Sequence, residues 1–344
     1  MRISLFTALA ITLCYTVTPS QAAAPAAVPA LVYPDSGQPL HILPLAERTL
    51  PTITAQRWAT VSTKGLQLEG PAFDREGNLL LVEVLSGKIF KLGPDGSSKV
   101  LVEQNMRGSA GIAIHKDGRL FVAGLGNYRD TGNLTTYHPD GRADRQIIPP
   151  ERGMLPDDIV FDSHGGLYFT DFRGGSTNPE GGVYYIAPES DKIIPVLSKM
   201  ALPNGIALSP DGKVLWVTEF ATGLLHRVDL EGPGRVAPFG ALVAYHFSGP
   251  SPDSMRADQD GNLYVAQYGQ GRVLVFNPNG IPIGQILIPG REDGHFLRST
   301  SMALKPGTRE IYLVANDGEQ GRGAAVFRAV GFTSALPLFS HQAP

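Results

Sequence analysis

The sequence contains six copies of a short motif, and side chains with oxygen atoms recur at one position of that motif. Each copy runs through a short strand-like segment into a turn that contains Gly and, in most copies, Asp. The residues five positions before these turns are, in order, Glu69, Ala110, Asp157, Asn204, Asp253 and Thr300. Carboxylate and amide oxygens suit a hard divalent cation such as calcium, whereas zinc prefers nitrogen and sulfur. The spacing therefore predicts a calcium site at Glu69, Asp157, Asn204 and Asp253.

Charge gives a further reason to group these residues. Three carboxylates close to one axis cannot all ionise unless a cation or bound protons neutralise them. Taken singly, each residue has a simpler interpretation, because Asp and Asn favour turns and strand starts in any protein. Four such residues at one position of a sixfold repeat favour the shared ion site over that interpretation.

A second set of residues, most of them polar, lies where the next strand of each copy ends. Its members are Glu83, Gly124, Asp171, Glu219, Gln267 and Asn316. From this set and its neighbours we predict a substrate pocket that contains Asp171, Arg173, Glu219, Tyr268 and His295. The alternative is that strand ends are polar because they face water. A lone loop histidine such as His295 is also more often structural than catalytic.

The repeat itself indicates the fold that must position these residues. Successive turns begin roughly 41 to 49 residues apart, which is the spacing of four-stranded propeller blades. No segment has the apolar period of a helix, so we expect an all-β chain folded as a six-bladed β-propeller. The first strand of each blade then lines a central channel. Thr54–Val61 occupies the position of an outer strand, and we expect this N-terminal strand to complete the last blade and close the ring.

The two ends of the chain differ from the repeat. Residues 1–23 contain Arg2, an uncharged apolar run and small residues suited to cleavage, which is the layout of a secretory signal peptide. The only cysteine, Cys14, lies in this segment, so a processed chain would have no disulfide and no cysteine metal site. We expect residues 24–51 to form an extended arm, residues 52–335 the propeller and residues 336–344 a C-terminal tail. The protein is then periplasmic or secreted.

Composition and motifs argue against several partners and mechanisms. The formal net charge of -3 is too small to indicate nucleic acid or an anionic membrane as a partner. The apolar run near the N-terminus is too short to span a membrane. The sequence has no Gly-x-Ser-x-Gly elbow, no His-Glu-x-x-His zinc motif and no phosphate- or dinucleotide-binding glycine loop.

Several longer strings resemble a known enzyme family. Strings similar to the metal-ligand motifs of the gluconolactonase, senescence-marker-protein and luciferin-regenerating-enzyme family are Leu68–Pro71, Asp157–Asp158, Pro203–Ala207 and Pro252–Ser254. Strings similar to the drug-responsive lactonase branch of that family are Tyr168–Gly174, Ser176–Pro179, Gly181–Tyr185, Tyr268–Asn277 and Ile286–Arg291. The likeness extends from about Thr52 to Phe332.

The resemblance implies a calcium-dependent hydrolase with a lactone as its small-molecule substrate. By position, Glu69, Asn204 and Asp253 match the family's metal ligands, and Asp157 matches a further channel residue. Ser254 follows the last ligand as in the lactonase branch. The resemblance also implies that Asp253 is the general acid/base, which takes a proton from water and returns it to the leaving alkoxide while the ion polarises the lactone carbonyl.

The lactonase branch also binds a second calcium, near the insertion in the second blade. Asp130 and Gly132 match that site, whereas the segment 149–154 departs from the branch pattern. Two other functions remain open at this point. One is an exported propeller that binds a partner without catalysis, and the other is an esterase or phosphotriesterase on the same scaffold.

Overall fold

The computed structural model describes residues 43–103, 107–249 and 251–342, all of which belong to the compact unit Pro39–Pro344. The predicted signal peptide, residues 1–23, and most of the predicted arm lie outside the described residues. Apart from strands, the regular elements here are short 3-10 helices at Leu45–Glu47, Pro150–Arg152, Arg291–Asp293, Gly318–Gln320 and Phe339–His341. Within these ranges, no helix is long and apolar enough to cross a membrane.

The strands form six sheets of four or five strands. Two strands precede the first blade, β1 (Thr52–Thr54) and β2 (Gln56–Ser62). Blade 1 contains β3 (Leu68–Phe73), β4 (Leu79–Glu83), β5 (Ile89–Leu92) and β6 (Ser98–Val102). Blade 2 contains β7 (Ser109–Ile114), β8 (Leu120–Gly124), β9 (Asn133–Tyr137) and β10 (Ala143–Ile148). Blade 3 contains β11 (Pro156–Phe161), β12 (Leu167–Asp171), a small hairpin of β13 (Gly174–Gly175) and β14 (Asn178–Pro179), then β15 (Gly181–Ile186) and β16 (Ile193–Met200).

The remaining three blades follow the same plan. Blade 4 contains β17 (Pro203–Leu208), β18 (Val214–Glu219), β19 (Leu224–Gly232) and β20 (Arg235–His246). Blade 5 contains β21 (Pro252–Ala257), β22 (Leu263–Gln267), β23 (Arg272–Phe276) and β24 (Pro282–Leu287). Blade 6 contains β25 (Arg298–Leu304), β26 (Glu310–Asn316) and β27 (Ala324–Val330), with β2 as its outer strand.

The blades form a closed circle around the first strands. Each first strand packs against those of both neighbouring blades, in the order β3, β7, β11, β17, β21, β25 and back to β3. The first strands therefore line a central channel, and the prediction of a six-bladed all-β propeller is confirmed.

Six hydrophobic cores lie between successive blades, one for each neighbouring pair. The core between blades 6 and 1, for example, contains Leu79 and Leu81 of β4 together with Tyr312 and Val326 of blade 6. A blade is thus covered on both faces, which is why its second strand is a continuous apolar run and not an alternating one. All four residues of Leu79–Val82 are at most 2% exposed.

The chain closes the circle with its N-terminal strands. β2 pairs antiparallel with β27, so the expectation that an N-terminal strand completes the last blade is confirmed. β1 was not predicted as a separate strand. It pairs parallel with β24 and adds a fifth strand to blade 5, and the Ala55 backbone N–H then donates to the Leu287 carbonyl at 2.9 Å. The two short strands thus cover the outer edges of two adjacent blades, which leaves less edge exposed.

A buried ion pair anchors the segment that precedes these strands. Glu47 is 3% exposed and accepts hydrogen bonds from the Arg272 guanidinium of β23 and from the Tyr245 hydroxyl of β20, the latter at 2.6 Å. Arg272 is 1% exposed and also donates to the Gln285 amide oxygen of β24 at 3.1 Å. Blades 4 and 5 are therefore both tied to the chain that leads into β1.

Candidate active site

A β-bulge marks the position of the predicted ion ligands in every blade. The register between the first and second strand shifts at or next to this position in all six sheets. A bulge bends the strand and changes the direction of its side chains. The four oxygen-bearing residues, which we call the channel ring, are at most 7% exposed and are Glu69, Asp157, Asn204 and Asp253.

Neighbouring first strands approach closely at the channel ring. A Cβ atom on Gly205, which follows Asn204, would lie 2.5 Å from the Asp253 carbonyl oxygen of the next blade. A Cβ on Gly70, which follows Glu69 and has φ +56°, would lie 2.2 Å from the Ala110 carbonyl oxygen. Only glycine fits at these positions. The glycine that follows Glu69 and Asn204 is thus required by the close packing of neighbouring first strands.

Two threonine hydroxyls join the ring residues of adjacent blades. Thr170, from β12 of blade 3, donates to the Asn204 carbonyl at 2.7 Å. Thr218, from β18 of blade 4, donates to the Asp253 carbonyl at 2.9 Å and accepts from the Gly205 backbone N–H at 2.8 Å. Both threonines are fully buried. These bonds set the spacing between blades 3, 4 and 5 where their ring residues lie.

The side chains of the channel ring are only partly satisfied by the protein. The Asn204 amide donates to the Asp157 carboxylate at 3.1 Å, while the Asn204 Oδ1 atom is buried and has no hydrogen-bond partner among the residues that the structure describes. Glu69 accepts from its neighbour's backbone N–H at 2.8 Å, and Asp253 accepts from the Ser254 backbone N–H at 3.0 Å. A buried oxygen without a partner is costly, so this site favours an additional positive or hydrogen-bonding group.

Burial and mutual repulsion disfavour the ionised carboxylates. Burial raises the pKa of Glu69 from its ordinary value near 4.5 to about 8. Burial, followed by the charge of Glu69, also raises the pKa of Asp157 and of Asp253 well above their ordinary range. Bound protons or a cation would therefore stabilise the ring at neutral pH.

The three acids of the ring come from alternate blades. Glu69 belongs to blade 1, Asp157 to blade 3 and Asp253 to blade 5, whereas the intervening blades place neutral residues at the same bulge. In the described part of the chain, His, Cys, Asp and Glu side chains alone form no group of three or more that could hold a metal ion. A cation here would therefore also need the Asn204 oxygen and water, a mixed oxygen set that suits calcium.

The acid next to Asp157 has a different role, which the sequence did not reveal. Asp158 is fully buried and accepts from Arg256 Nη1 at 2.8 and 3.1 Å and from the Ile206 backbone N–H at 3.2 Å. These bonds join blades 3, 4 and 5 below the ring. Asp158 is therefore neutralised by an ion pair, whereas the side-chain hydrogen bond of Asp157 within the described ranges comes from the neutral Asn204 amide.

Two acids of the predicted substrate pocket are engaged by the loops beside them. Asp171 is fully buried, accepts from the Leu155 backbone N–H at 2.8 Å and forms an ion pair with Arg173 at 2.5 Å. Glu219 accepts from the Ala201 backbone N–H at 2.6 Å, and its other oxygen lies 3.0 Å from His226 Nε2. Burial opposes ionisation of Glu219, but these bonds outweigh it and lower its pKa.

The other predicted pocket residues divide into two kinds. His295 Nδ1 lies 3.0 Å from both carboxylate oxygens of Asp317, so this histidine belongs to a loop contact. Tyr268 is partly exposed, and its hydroxyl is within electrostatic reach of Asp253 and Glu69. Burial is the main cause that raises the pKa of Tyr268. Among the five predicted pocket residues, Tyr268 thus has the clearest relation to the channel ring.

Comparison with known proteins assigns the family. The family model described as "SMP-30/Gluconolactonase/LRE-like region" matches residues 68–312. The chain belongs to this family. The matched residues run from the first strand of blade 1 to the second strand of blade 6 and include every member of the channel ring.

Two relatives and one solved structure illustrate the likeness. Lactonase drp35 of Staphylococcus saprophyticus is 50% identical over 310 residues, which are 89% of this chain and 95% of that protein. Lactonase drp35 of Staphylococcus aureus is 49% identical over 320 residues, 92% of this chain and 98% of that protein. A calcium-binding protein, regucalcin, from Agrobacterium tumefaciens has a TM-score of 0.67 at 18% identity and covers 84% of this chain and 99% of its own. At that identity the regucalcin likeness concerns the fold alone.

The predicted second ion site of this family member lies in the insertion after β8. Asp130 is exposed and accepts from the Asn127 side-chain amide at 2.9 Å. Gly132 is buried, and a Cβ there would lie 2.4 Å from the Met154 carbonyl oxygen. The structure thus places Gly132 beside the end of the segment 149–154, whose sequence departs from the branch pattern. The second ion stays a prediction.

The opposite end of the channel is closed by the C-terminal residues. An apolar cavity of about 150 Å³ lies there, lined among others by Ile112, Ile159 and Ile206 from the far halves of three first strands. Leu336–Phe339 cover it, and Phe339 packs against Phe161 at a ring-centroid distance of 5.4 Å. A substrate would therefore reach the channel ring from the loop end, where the second strands finish.

Proposed function

We propose that this family member is a calcium-dependent lactone hydrolase whose catalytic centre is the channel ring. The observation that carries the proposal is the Asn204 Oδ1 atom, which is buried and has no partner beside three buried carboxylates. A bound calcium ion would satisfy that oxygen and neutralise the carboxylates at once. The names of the two staphylococcal relatives support a lactone as the substrate.

The four ring residues would hold the ion, with Ser254 beside the last of them. Calcium, when bound there, supplies a positive charge that polarises the lactone carbonyl. Glu69, Asp157 and Asp253 balance that charge, and the Asn204 amide fixes the Asp157 carboxylate through its 3.1 Å bond. The threonine bonds hold the backbone of Asn204 and Asp253, so these side chains need little reorganisation when a substrate arrives.

Asp253 is the residue that moves the proton. Its carboxylate takes a proton from the attacking water, and the proton then goes to the alkoxide that leaves when the C–O bond of the lactone breaks. Burial and the neighbouring charges raise the pKa of Asp253, whereas a bound cation lowers it. The two effects act in opposite directions on the same carboxyl group, which takes up a proton as base and releases it as acid.

An Asp253→Asn variant tests this role. Asparagine keeps an oxygen ligand and much of the shape but cannot carry the proton. We expect turnover of a lactone to fall by about a hundredfold or more, even at saturating calcium. Initial rates measured across a calcium titration would show this. If added calcium restores the full rate, Asp253 is only a ligand and another group moves the proton.

An Asn204→Ala variant is the matched control. It removes a neutral ligand oxygen that cannot move a proton, so calcium affinity should weaken while much of the maximal rate returns at high calcium. The two variants thus separate ion binding from proton transfer. Loss of rate in both variants at every calcium concentration would contradict the assignment of separate roles.

Export completes the proposal. The composition of residues 1–23 supports a signal peptide, and a mature chain without cysteine suits an oxidising compartment as well as a reducing one. We place the enzyme in the periplasm or outside the cell.

A further inference from the structure

The residue that follows the second strand occupies an equivalent place in five blades. In each case its backbone N–H donates to the carbonyl just before the first strand of the same blade, at 2.8–3.0 Å. The five residues are Val84, Leu125, Phe172, Phe220 and Tyr268. All five are apolar or aromatic, although each directly follows the last residue of its second strand, which in most blades is polar. Apolar or aromatic residues therefore occupy the same level at the loop end of these five blades.

Three of these side chains form a continuous aromatic arc. Phe172 and Phe220 have ring centroids 5.7 Å apart, and Phe220 and Tyr268 have centroids 6.0 Å apart. The arc joins blades 3, 4 and 5. Its rings are partly exposed, whereas Val84 and Leu125 are buried at 3% and 6% exposure. The arc thus presents apolar surface to the channel mouth that no described protein group fully covers.

Blade 2 contributes a different aromatic residue from its insertion. The ring position of this blade is Ala110, which packs with Leu125 and has no ligand oxygen. Beyond it, Tyr128 is 50% exposed and has φ +61°. The Asn127 side-chain oxygen accepts from the backbone N–H groups of the three residues that follow Tyr128, at 2.9 to 3.2 Å. The loop is therefore held firmly while it presents an aromatic ring in a backbone conformation that favours glycine.

The insertion that carries Tyr128 lies between β8 and β9, at the loop end of blade 2 and across the circle from the arc. The Tyr128 hydroxyl is within electrostatic reach of Glu83 in blade 1 and Asp157 in blade 3, the two neighbours of its own blade. The charges that act on the Tyr268 hydroxyl are Arg298, whose backbone bridges that of Tyr268, and then Asp253 and Glu69. Blades 2 and 5 are three positions apart in a circle of six, so the two tyrosines lie on opposite sides of the mouth. A molecule bound at the channel ring would lie between them.

We propose that Tyr128 and the arc of Phe172, Phe220 and Tyr268 form an apolar collar that binds a hydrocarbon substituent of the substrate. Tyr128 is the specificity-determining member, because it is the one collar residue that belongs to an insertion. The substrate class is then lactones that carry an alkyl chain on the ring. The inference rests on the proposed function, because the channel ring must hold the lactone carbonyl for the chain to reach the collar.

The test uses a series of γ-lactones of one ring size. The series runs from γ-butyrolactone through γ-valerolactone and γ-hexalactone to γ-octalactone, and kcat/KM is plotted against chain length. With a collar, kcat/KM should rise by up to about fourfold for each buried methylene. Tyr128→Gly removes the ring and relieves the backbone, so the variant should fold and its plot should be flatter by at least half. Tyr128→Phe should keep the slope of the unmodified protein.

A matched control comes from the outer strand of blade 4. Phe239 is also aromatic and fully exposed with φ +57°, but it lies in β20, away from the channel. Phe239→Gly should leave the slope unchanged. An equal slope in the unmodified protein and Tyr128→Gly, or no slope in either, overturns the collar.

Binding of the corresponding γ-lactams separates failure of the collar from failure of the proposed function. These molecules have an amide in place of the ester, and calorimetry gives their Kd without turnover. If the Kd falls with chain length in the unmodified protein but not in Tyr128→Gly, while no lactone is hydrolysed, the collar stands and lactone hydrolysis is refuted. If lactones are hydrolysed but neither Kd nor kcat/KM depends on chain length, hydrolysis stands and the collar is refuted.

Discussion

The channel ring predicts opposite effects of Glu69→Gln with and without calcium. In calcium-free protein, burial raises the pKa of Glu69 from about 4.5 to about 8, so the folded state binds a proton more tightly than the unfolded state. The contribution of this group is fully favourable below pH 4.5 and is lost as pH rises toward 8. Removal of the carboxylate should therefore stabilise the calcium-free protein at alkaline pH.

The size of the effect follows from the pKa. A rise of about 3.5 corresponds to about 5 kcal/mol, at about 1.4 kcal/mol for each pKa unit. That figure includes burial, which is its main cause, and repulsion from Asp158. For a chain of this size, about 2–4 °C of Tm corresponds to each kcal/mol. We expect Glu69→Gln in excess chelator to raise Tm at pH 8 by up to about 10–20 °C and at pH 4.5 by little.

Saturating calcium should reverse the sign. The unmodified protein gains the binding free energy of the ion, while Glu69→Gln has lost a charged ligand and gains less. Thermal melting of both proteins from pH 4.5 to 8, with chelator and with calcium, would check both statements. Glu103→Gln, at a side chain that is 73% exposed, is the control and should change Tm little under any condition. The reasoning is refuted if Glu69→Gln shifts Tm in the same direction with and without calcium at pH 8.

Three further predictions concern the scaffold and the chain end. Glu47→Gln leaves the Arg272 charge buried and uncompensated. The free energy of unfolding measured in urea titrations should therefore fall by about 3–5 kcal/mol. Asp191→Asn, which breaks an exposed ion pair, is the control and should lower it by less than about 1 kcal/mol. An equal loss in the two variants would mean that burial of the pair does not matter. Thr218→Val leaves buried backbone groups of blades 4 and 5 unpaired. The free energy of unfolding should fall by about 1–3 kcal/mol, and calcium binding measured by calorimetry should weaken. Thr218→Ser keeps the hydroxyl and should restore both. Mass spectrometry of the exported protein should find an N-terminus near Ala23, and an intact Met1 on the bulk of the protein would rule out cleavage.

The blades and the channel ring could be predicted because both repeat. Turns that contain Asp and Gly recur once in every blade and mark the boundary between its first and second strands. A residue at a fixed number of positions before the turn therefore lies at the same level along the channel in every blade. Asn204 and Asp253 therefore fall at equivalent positions in the sequence before any coordinate is known. Thr170 and Thr218 each precede an acid at the end of a second strand. An alignment of the second strands would therefore have shown that the two threonines occupy equivalent positions.

Other features depend on contacts that no local pattern records. Glu47 and Arg272 are separated by 225 positions, and nothing near either residue indicates a partner. β1 and β2 are separated only by Ala55, without a glycine, proline or other turn signal, so the change of blade there is visible only in space. The sequence around a strand-end acid such as Glu219 does not show whether its carboxylate faces a ligand or a backbone N–H of a loop. The path of the loop backbone decides between the two.

The channel ring shows how one scaffold feature can support different chemistry. All six blades carry the same bulge, yet Ala110 and Thr300 bring no carboxylate to it, and the Thr300 hydroxyl instead donates to the Leu68 carbonyl at 2.6 Å. The bulge is therefore a property of how first strands pack, and the acids are added to it. Their placement on alternate blades spaces three like charges as evenly as six blades allow, which lowers their repulsion while each still faces the axis. An ion on that axis would then meet carboxylates from three directions, with Asp253 able to exchange a proton because the other two can balance the charge.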